Sequence, residues 1–149
     1  MKNIVAKAEV IINASPEQVW EGLTSPEMIK EYFFGTDAKS TWEIGDIVTF
    51  DGEYDGKKYH DKGRVLQVQP NHLLQYSYWS SMSGMDDRPE NYVAITYEIQ
   101  EENGQTILDV TQENIQDEER KEHSEENWKI VLNNLKHLLE NKSVISTGL

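Results

Sequence analysis

Residues Ser15 to Phe33 read SPEQVWEGLTSPEMIKEYF, and the tripeptide Ser-Pro-Glu occurs twice, at Ser15 and again at Ser25. A serine before a helix accepts a hydrogen bond from an otherwise unpaired backbone N–H, and proline suits the first helical position because its fixed φ is already helical. Gln18 completes a Ser-x-x-Gln capping box with Ser15. Val19, Trp20 and Leu23 then share a face at helical spacing, as do Ile29, Tyr32 and Phe33 after the second signal. Pro26 has no amide hydrogen and clashes with the preceding turn of a continuous helix, so the chain bends there. The stretch therefore predicts two short helices in a V.

The flanking sequence says what the V supports. Upstream, Ile4, Ala6, Ala8, Val10 and Ile12 alternate with Lys7, Glu9 and Asn13, the period of a strand with one buried face. Downstream, DIVTFDGEYDGKKYHDKGRVLQV carries Asp55-Gly56 between two strand-like runs, a type I′ hairpin signal, and Asn103-Gly104 marks a second hairpin. HLLQYSYW between them is a further strand with Leu74, Tyr76 and Tyr78 on one face. From Ser80 to Asn91 runs one long polar loop holding Met82, Gly84 and Met85, of the kind that often serves as a lid. The chain closes on a helix whose Trp128, Val131, Leu132, Leu135, Leu138 and Leu139 form an apolar stripe.

An α+β domain follows: a curved antiparallel sheet of about six to seven strands wrapped round a long C-terminal helix, with two short helices after the first strand. A twisted sheet of this size curls, and its concave side grips the one helix able to cover it. The V braces that helix from one end. We expect a single domain over 1–142 and a loose tail over 143–149.

With a formal charge of -13 and no Lys/Arg cluster larger than Gly56–Lys58, the chain is a poor partner for nucleic acid or anionic membranes. No cysteine is present, which excludes disulfides, thiolate metal sites and a Cys nucleophile. The N-terminus is too short and charged to read as a signal peptide, and no apolar run approaches a membrane span, so a cytoplasmic location is expected. His123 and His137 lie too far apart on one helix to share an ion, and His60 and Asp61 are strand neighbours that point to opposite faces. No metal, cofactor or catalytic group is expected. The acidic run Asp117–Glu126 suits a helix start.

Four segments together carry a resemblance. They are ASPEQVWEGLTSPEMIKEYF, STWEIGDIVTF, GRVLQVQPNHLLQYSYW and NWKIVLNNLKHLLE. In that order they resemble the START-like, Bet v 1-like helix-grip superfamily (SRPBCC), and within it the proteins related to the C-terminal domain of the activator of heat-shock-protein-90 ATPase. The resemblance implies a cavity between sheet and helix that holds a small hydrophobic or amphipathic molecule. It also implies two alternatives: a co-chaperone-like interaction domain in stress response, and a cyclase or hydrolase acting on polyketide-like substrates. Tyr76, Tyr78 and Tyr97 from strands and Trp128 from the helix are the candidate lining, with Met82, Gly84 and Met85 as lid. Asn127 stands where the family often has Gly, which implies a side chain intruding on any cavity near that turn. A monomer and a homodimer are both compatible with the sequence.

Overall fold

The computed structural model describes residues 4–148, with side chains as far as residue 141. In chain order the elements are β1 (Ile4–Ile12), α1 (Pro16–Thr24), α2 (Pro26–Tyr32), β2 (Asp37–Lys39), β3 (Ile47–Tyr54), β4 (Lys57–Gln69), β5 (Leu73–Tyr78), β6 (Val93–Glu102), β7 (Gln105–Ile115) and α3 (Glu118–Gly148). The loose tail expected from Ser143 to Leu149 lies outside the described side chains.

The V forms as its sequence dictates. Ser15 Oγ accepts from the Gln18 N–H at 3.2 Å while the Gln18 side chain accepts from the Ser15 N–H at 2.9 Å. Ser25 ends α1 in an extended conformation, donates its N–H to Glu21, and caps α2 through the Met28 N–H at 3.4 Å. One residue is thus both the stop of the first helix and the start of the second. Gly22 lets α1 approach α3 closely, since a Cβ there would lie 2.8 Å from Leu135 Cδ1.

The seven strands form one antiparallel sheet in the order β1-β7-β6-β5-β4-β3-β2. Both tight hairpins are type I′, with positive φ at Asp55 and Gly56 and at Asn103 and Gly104. Inward residues of every long strand and the stripe Trp128, Val131, Leu132, Leu135 and Leu139 of α3 close one core. At Gly63 the backbones of β4 and β5 come so near that a Cβ would sit 1.6 Å from the Ser77 carbonyl oxygen. The ladder pauses there, and the Arg64 N–H turns to Ser77 Oγ at 3.0 Å.

α3 also closes an open edge. Among the described residues no strand lies beside the outward backbone of β1, but the Lys7 and Asn13 N–H groups donate to Glu125 and Glu140, each at 2.9 Å. Lys136 Nζ donates to the Ile11 carbonyl at 2.8 Å and pairs with Glu140 at 2.6 Å. Side chains of the helix thereby stand in for a missing strand.

Candidate ligand site

Beneath α3 the inward aromatic residues of β3, β5 and β6 meet those of the V and the helix. Ring centroids lie 5.6 Å apart for Phe50–Tyr76 and Phe50–Tyr78, 6.2 Å for Tyr76–Tyr97, 5.8 Å for Tyr97–Trp128 and 6.1 Å for Phe33–Trp128. Trp42 adopts a φ of 60°, uncommon for a bulky residue, and lies 6.4 Å from Tyr76. Tyr76 and Tyr97 are each 4% exposed and Trp128 is 7% exposed.

Most polar handles in this cluster are engaged. Tyr32 donates its hydroxyl hydrogen to the Gly22 carbonyl at 2.8 Å, Tyr78 donates to Asp61, and the Trp128 indole donates to Gln112 at 2.8 Å. Among the described residues the Tyr76 and Tyr97 hydroxyls meet only each other, with their oxygens 3.5 Å apart. Burial raises the Tyr76 hydroxyl to about 12 and pushes Tyr32, Tyr78 and Tyr97 up as well; the nearby Asp61 charge adds to the rise at Tyr78. All four phenols are therefore protonated donors at neutral pH.

Asp61 escaped the sequence reading as a site residue. It is 5% exposed, and its carboxylate accepts from Tyr78, from the Ser81 N–H at 2.9 Å and from Ser81 Oγ at 3.3 Å. The signal was present in the alternation of β4, which puts Asp61 on the inward side with Val65 and leaves His60 outside, where it pairs with Asp51. All four histidines are exposed.

Outside the cluster opens a cleft of about 860 Å³ between the N-terminal half of α3, the ends of β6 and β7, and the segment following β5. Tyr78, Trp79, Val93 and Ile115 give it apolar surface, Met82 and Met85 flank it, and Gln112, Glu122 and Glu126 are among its polar residues. Of the expected lining, Tyr78 faces this cleft. Tyr76, Tyr97 and Trp128 come together behind it, and Gln112, which holds the Trp128 indole, lies in its wall. Gly84 is not among the lining residues; it supplies a positive φ to the loop. Asn127 is exposed, which corrects the expectation that its side chain intrudes on a cavity. One position before Trp128 on a helix is a rotation of about 100°, and the inward place belongs to Trp128.

The loop itself is tied on its β4 side. The Lys62 and Trp79 backbones exchange hydrogen bonds at 3.1 and 2.8 Å, Lys62 pairs with Asp87 at 2.6 Å, and the Trp79 indole donates to the Met85 carbonyl at 3.1 Å. Toward α3 it is held by a contact from Arg120 to the Met85 sulfur at 3.9 Å.

A curved antiparallel sheet closed on a long C-terminal helix, with a helix pair after the first strand, defines a helix-grip protein. The model of the family described as Activator of Hsp90 ATPase homolog 1-like protein matches residues 13–140, and the chain belongs to that family. A protein from Cytophaga hutchinsonii, solved in solution, is 42% identical with a TM-score of 0.83, over 96% of this chain and 99% of that one. An Aha1 dimer from Colwellia psychrerythraea is 20% identical, with a TM-score of 0.73 over 92% and 96% of the two chains. A Chromobacterium violaceum protein is also 20% identical, with a TM-score of 0.75 over 91% and 96%. No functionally curated protein matches the chain.

Proposed function

We propose that this chain is a non-enzymatic binding module for a small amphipathic molecule, whose apolar body enters the cleft toward the aromatic cluster while its polar end stays at the mouth. The observation that carries this reading is a cleft of about 860 Å³ with Tyr78, Trp79, Val93 and Ile115 on one side and polar residues of α3 on the other, backed by buried aromatic rings. That volume suits a drug-sized ligand, and because most of the lining side chains are polar the cleft fits an amphipathic occupant better than a wholly apolar one. Met82 and Met85 suit the lid, because methionine adapts to varied apolar shapes.

An apolar naphthalene probe should bind the folded protein at micromolar strength, slow amide exchange over Ser80–Asn91 and quench Trp128. Tyr78→Ala should weaken the probe more than tenfold, which is about 1.4 kcal/mol, without unfolding the domain. A probe that binds only partly unfolded protein, or a probe-soaked crystal structure packed solid under the helix with no probe in the cleft, would remove this reading and promote the interaction-domain one.

The second reading is a co-chaperone-like interaction domain, supported by the family and by the largely exposed acidic run Asp117–Glu126. Salt-sensitive capture of a chaperone with no co-purifying small molecule would favour it. Native mass spectrometry of freshly purified protein would report bound ligand and a monomer or homodimer together. A cyclase or hydrolase needs a titratable group free to meet substrate. Asp61, the one buried carboxylate among the described residues, is already engaged by Tyr78 and Ser81.

A further inference from the structure

The hydroxyls of Tyr76 and Tyr97 stand apart from the other polar groups in the cluster. Tyr32, Tyr78 and Trp128 each spend their hydrogen on an oxygen of the protein: the Gly22 carbonyl, Asp61 and Gln112. Tyr76 and Tyr97 together carry two O–H hydrogens and share a single contact at 3.5 Å, well beyond the roughly 2.7–2.8 Å of an ordinary O–H···O bond. When one donates to the other, the second hydrogen has no acceptor among the described residues. Both side chains are 4% exposed, so bulk water does not make up the difference. A buried donor left in this state is costly, and two phenylalanines would fill the same space without it.

We infer that Tyr76 and Tyr97 form a two-donor clamp for a neutral carbonyl oxygen at the buried end of the ligand. This rests on the ligand-binding reading above and adds the chemistry of the group recognised. An acceptor placed about 2.8 Å from each hydroxyl would see the two donors at an angle of roughly 80°, within reach of the two lone pairs of one oxygen. Neutrality follows from the surroundings. The rings packed round the pair are Phe50, Trp42 and Trp128, no lysine or arginine is buried among the described residues, and Asp61 already places a carboxylate at the margin of the cluster. A second, unpaired carboxylate there would be expelled, whereas a ketone or ester is not. Neither Tyr76 nor Tyr97 lines the cleft, so a ligand reaches the pair by parting the wall between cleft and pair: Tyr78, tilted against Phe50, and Gln112, which holds the indole that packs on Tyr97, are that wall.

The test uses two probes of one shape, 2-acetylnaphthalene and 2-ethylnaphthalene, against wild type, Tyr76→Phe and Tyr97→Phe. Each substitution should weaken the ketone about five- to tenfold, the worth of one hydrogen bond, and leave the hydrocarbon within about twofold. The hydrocarbon also serves as the control for folding. Without ligand, Tyr97→Phe should melt at or above the wild-type temperature, because it removes a poorly satisfied donor. Equal losses for both probes, or no loss for the ketone, would overturn the clamp and leave the cleft reading standing. A clear fall in melting temperature on Tyr97→Phe would also overturn it, by showing both hydroxyls satisfied in the free protein. If neither probe binds wild type, the binding module and the clamp fall together.

Discussion

Replacing Trp128 tests how α3 is held on the sheet and how the cluster is held under α3. The indole is 7% exposed, packs edge-on against Phe33 and Tyr97, and donates to Gln112. Trp128→Ala removes the ring and leaves a cavity between helix and sheet, a change that costs about 3–5 kcal/mol. Tyr97 and Phe33 lose an aromatic partner each, which places the expected cost toward the upper end. For a domain of this length each kcal/mol lowers the melting temperature by about 2–4 °C, so a loss of about 4–5 kcal/mol corresponds to a fall of about 8–20 °C. Trp128→Phe keeps a ring but deprives Gln112 of its donor. Gln112 borders the open cleft, where water can replace the indole, so about 1–2 kcal/mol is expected. The assay is urea unfolding followed by far-ultraviolet circular dichroism, which does not depend on the fluorophore removed. A midpoint unchanged in Trp128→Ala would refute the reasoning, since it would mean that α3 does not present this face to the sheet.

Gly63→Ala should be far worse than Gly22→Ala. The first must move the Ser77 backbone by about 1.8 Å to reach ordinary contact and breaks the paired Lys62–Trp79 bonds, costing about 3 kcal/mol or more, while the second meets only the movable end of Leu135, at about 1–2 kcal/mol; equal melting temperatures would contradict this. Glu140 is held below the ordinary 4.5 by Lys136 and then by the Asn13 N–H. Its stabilisation is therefore present above pH 4.5 and is lost as the pH falls through the lower folded-state value, so Glu140→Gln should cost about 0.5–1 kcal/mol at pH 6 and nothing near pH 2, as read from paired thermal melts. DNA should not bind at low salt, because the charge of -13 makes the phosphate interaction repulsive; a band shift with arbitrary duplex or single strand would contradict it.

The parts of this fold legible in the sequence are those set by local chemistry. Two Ser-Pro starts, two Asx-Gly turns and one apolar helical stripe each specify an element without help from the rest of the chain. β2 was not legible, because three residues at Asp37–Lys39 are too few to show a period. The inward tyrosines were legible as a face, since alternation places Tyr76 and Tyr78 on one side of β5. Their division was not: Tyr78 reaches the cleft and Tyr76 does not because of where the curved sheet ends, and curvature belongs to the whole ladder and to Gly63. Asp61 was hidden for a similar reason. Its partner Ser81 arrives from the loop after β5, a pairing that no periodicity announces.

Because carboxylates and a lysine of α3 occupy the outer edge of β1, the helix and the edge share one fate. A fluctuation that lifts α3 uncovers the apolar stripe of the helix and the concave face of the sheet together with the outer edge of a strand rich in Ile, Val and Ala. Such an opened molecule is a template for another chain, and association through β1 would compete with reclosing. Irreversible loss on heating should then track the lifetime of α3 on the sheet more than the global stability, so the shelf life of this domain is set by its last helix.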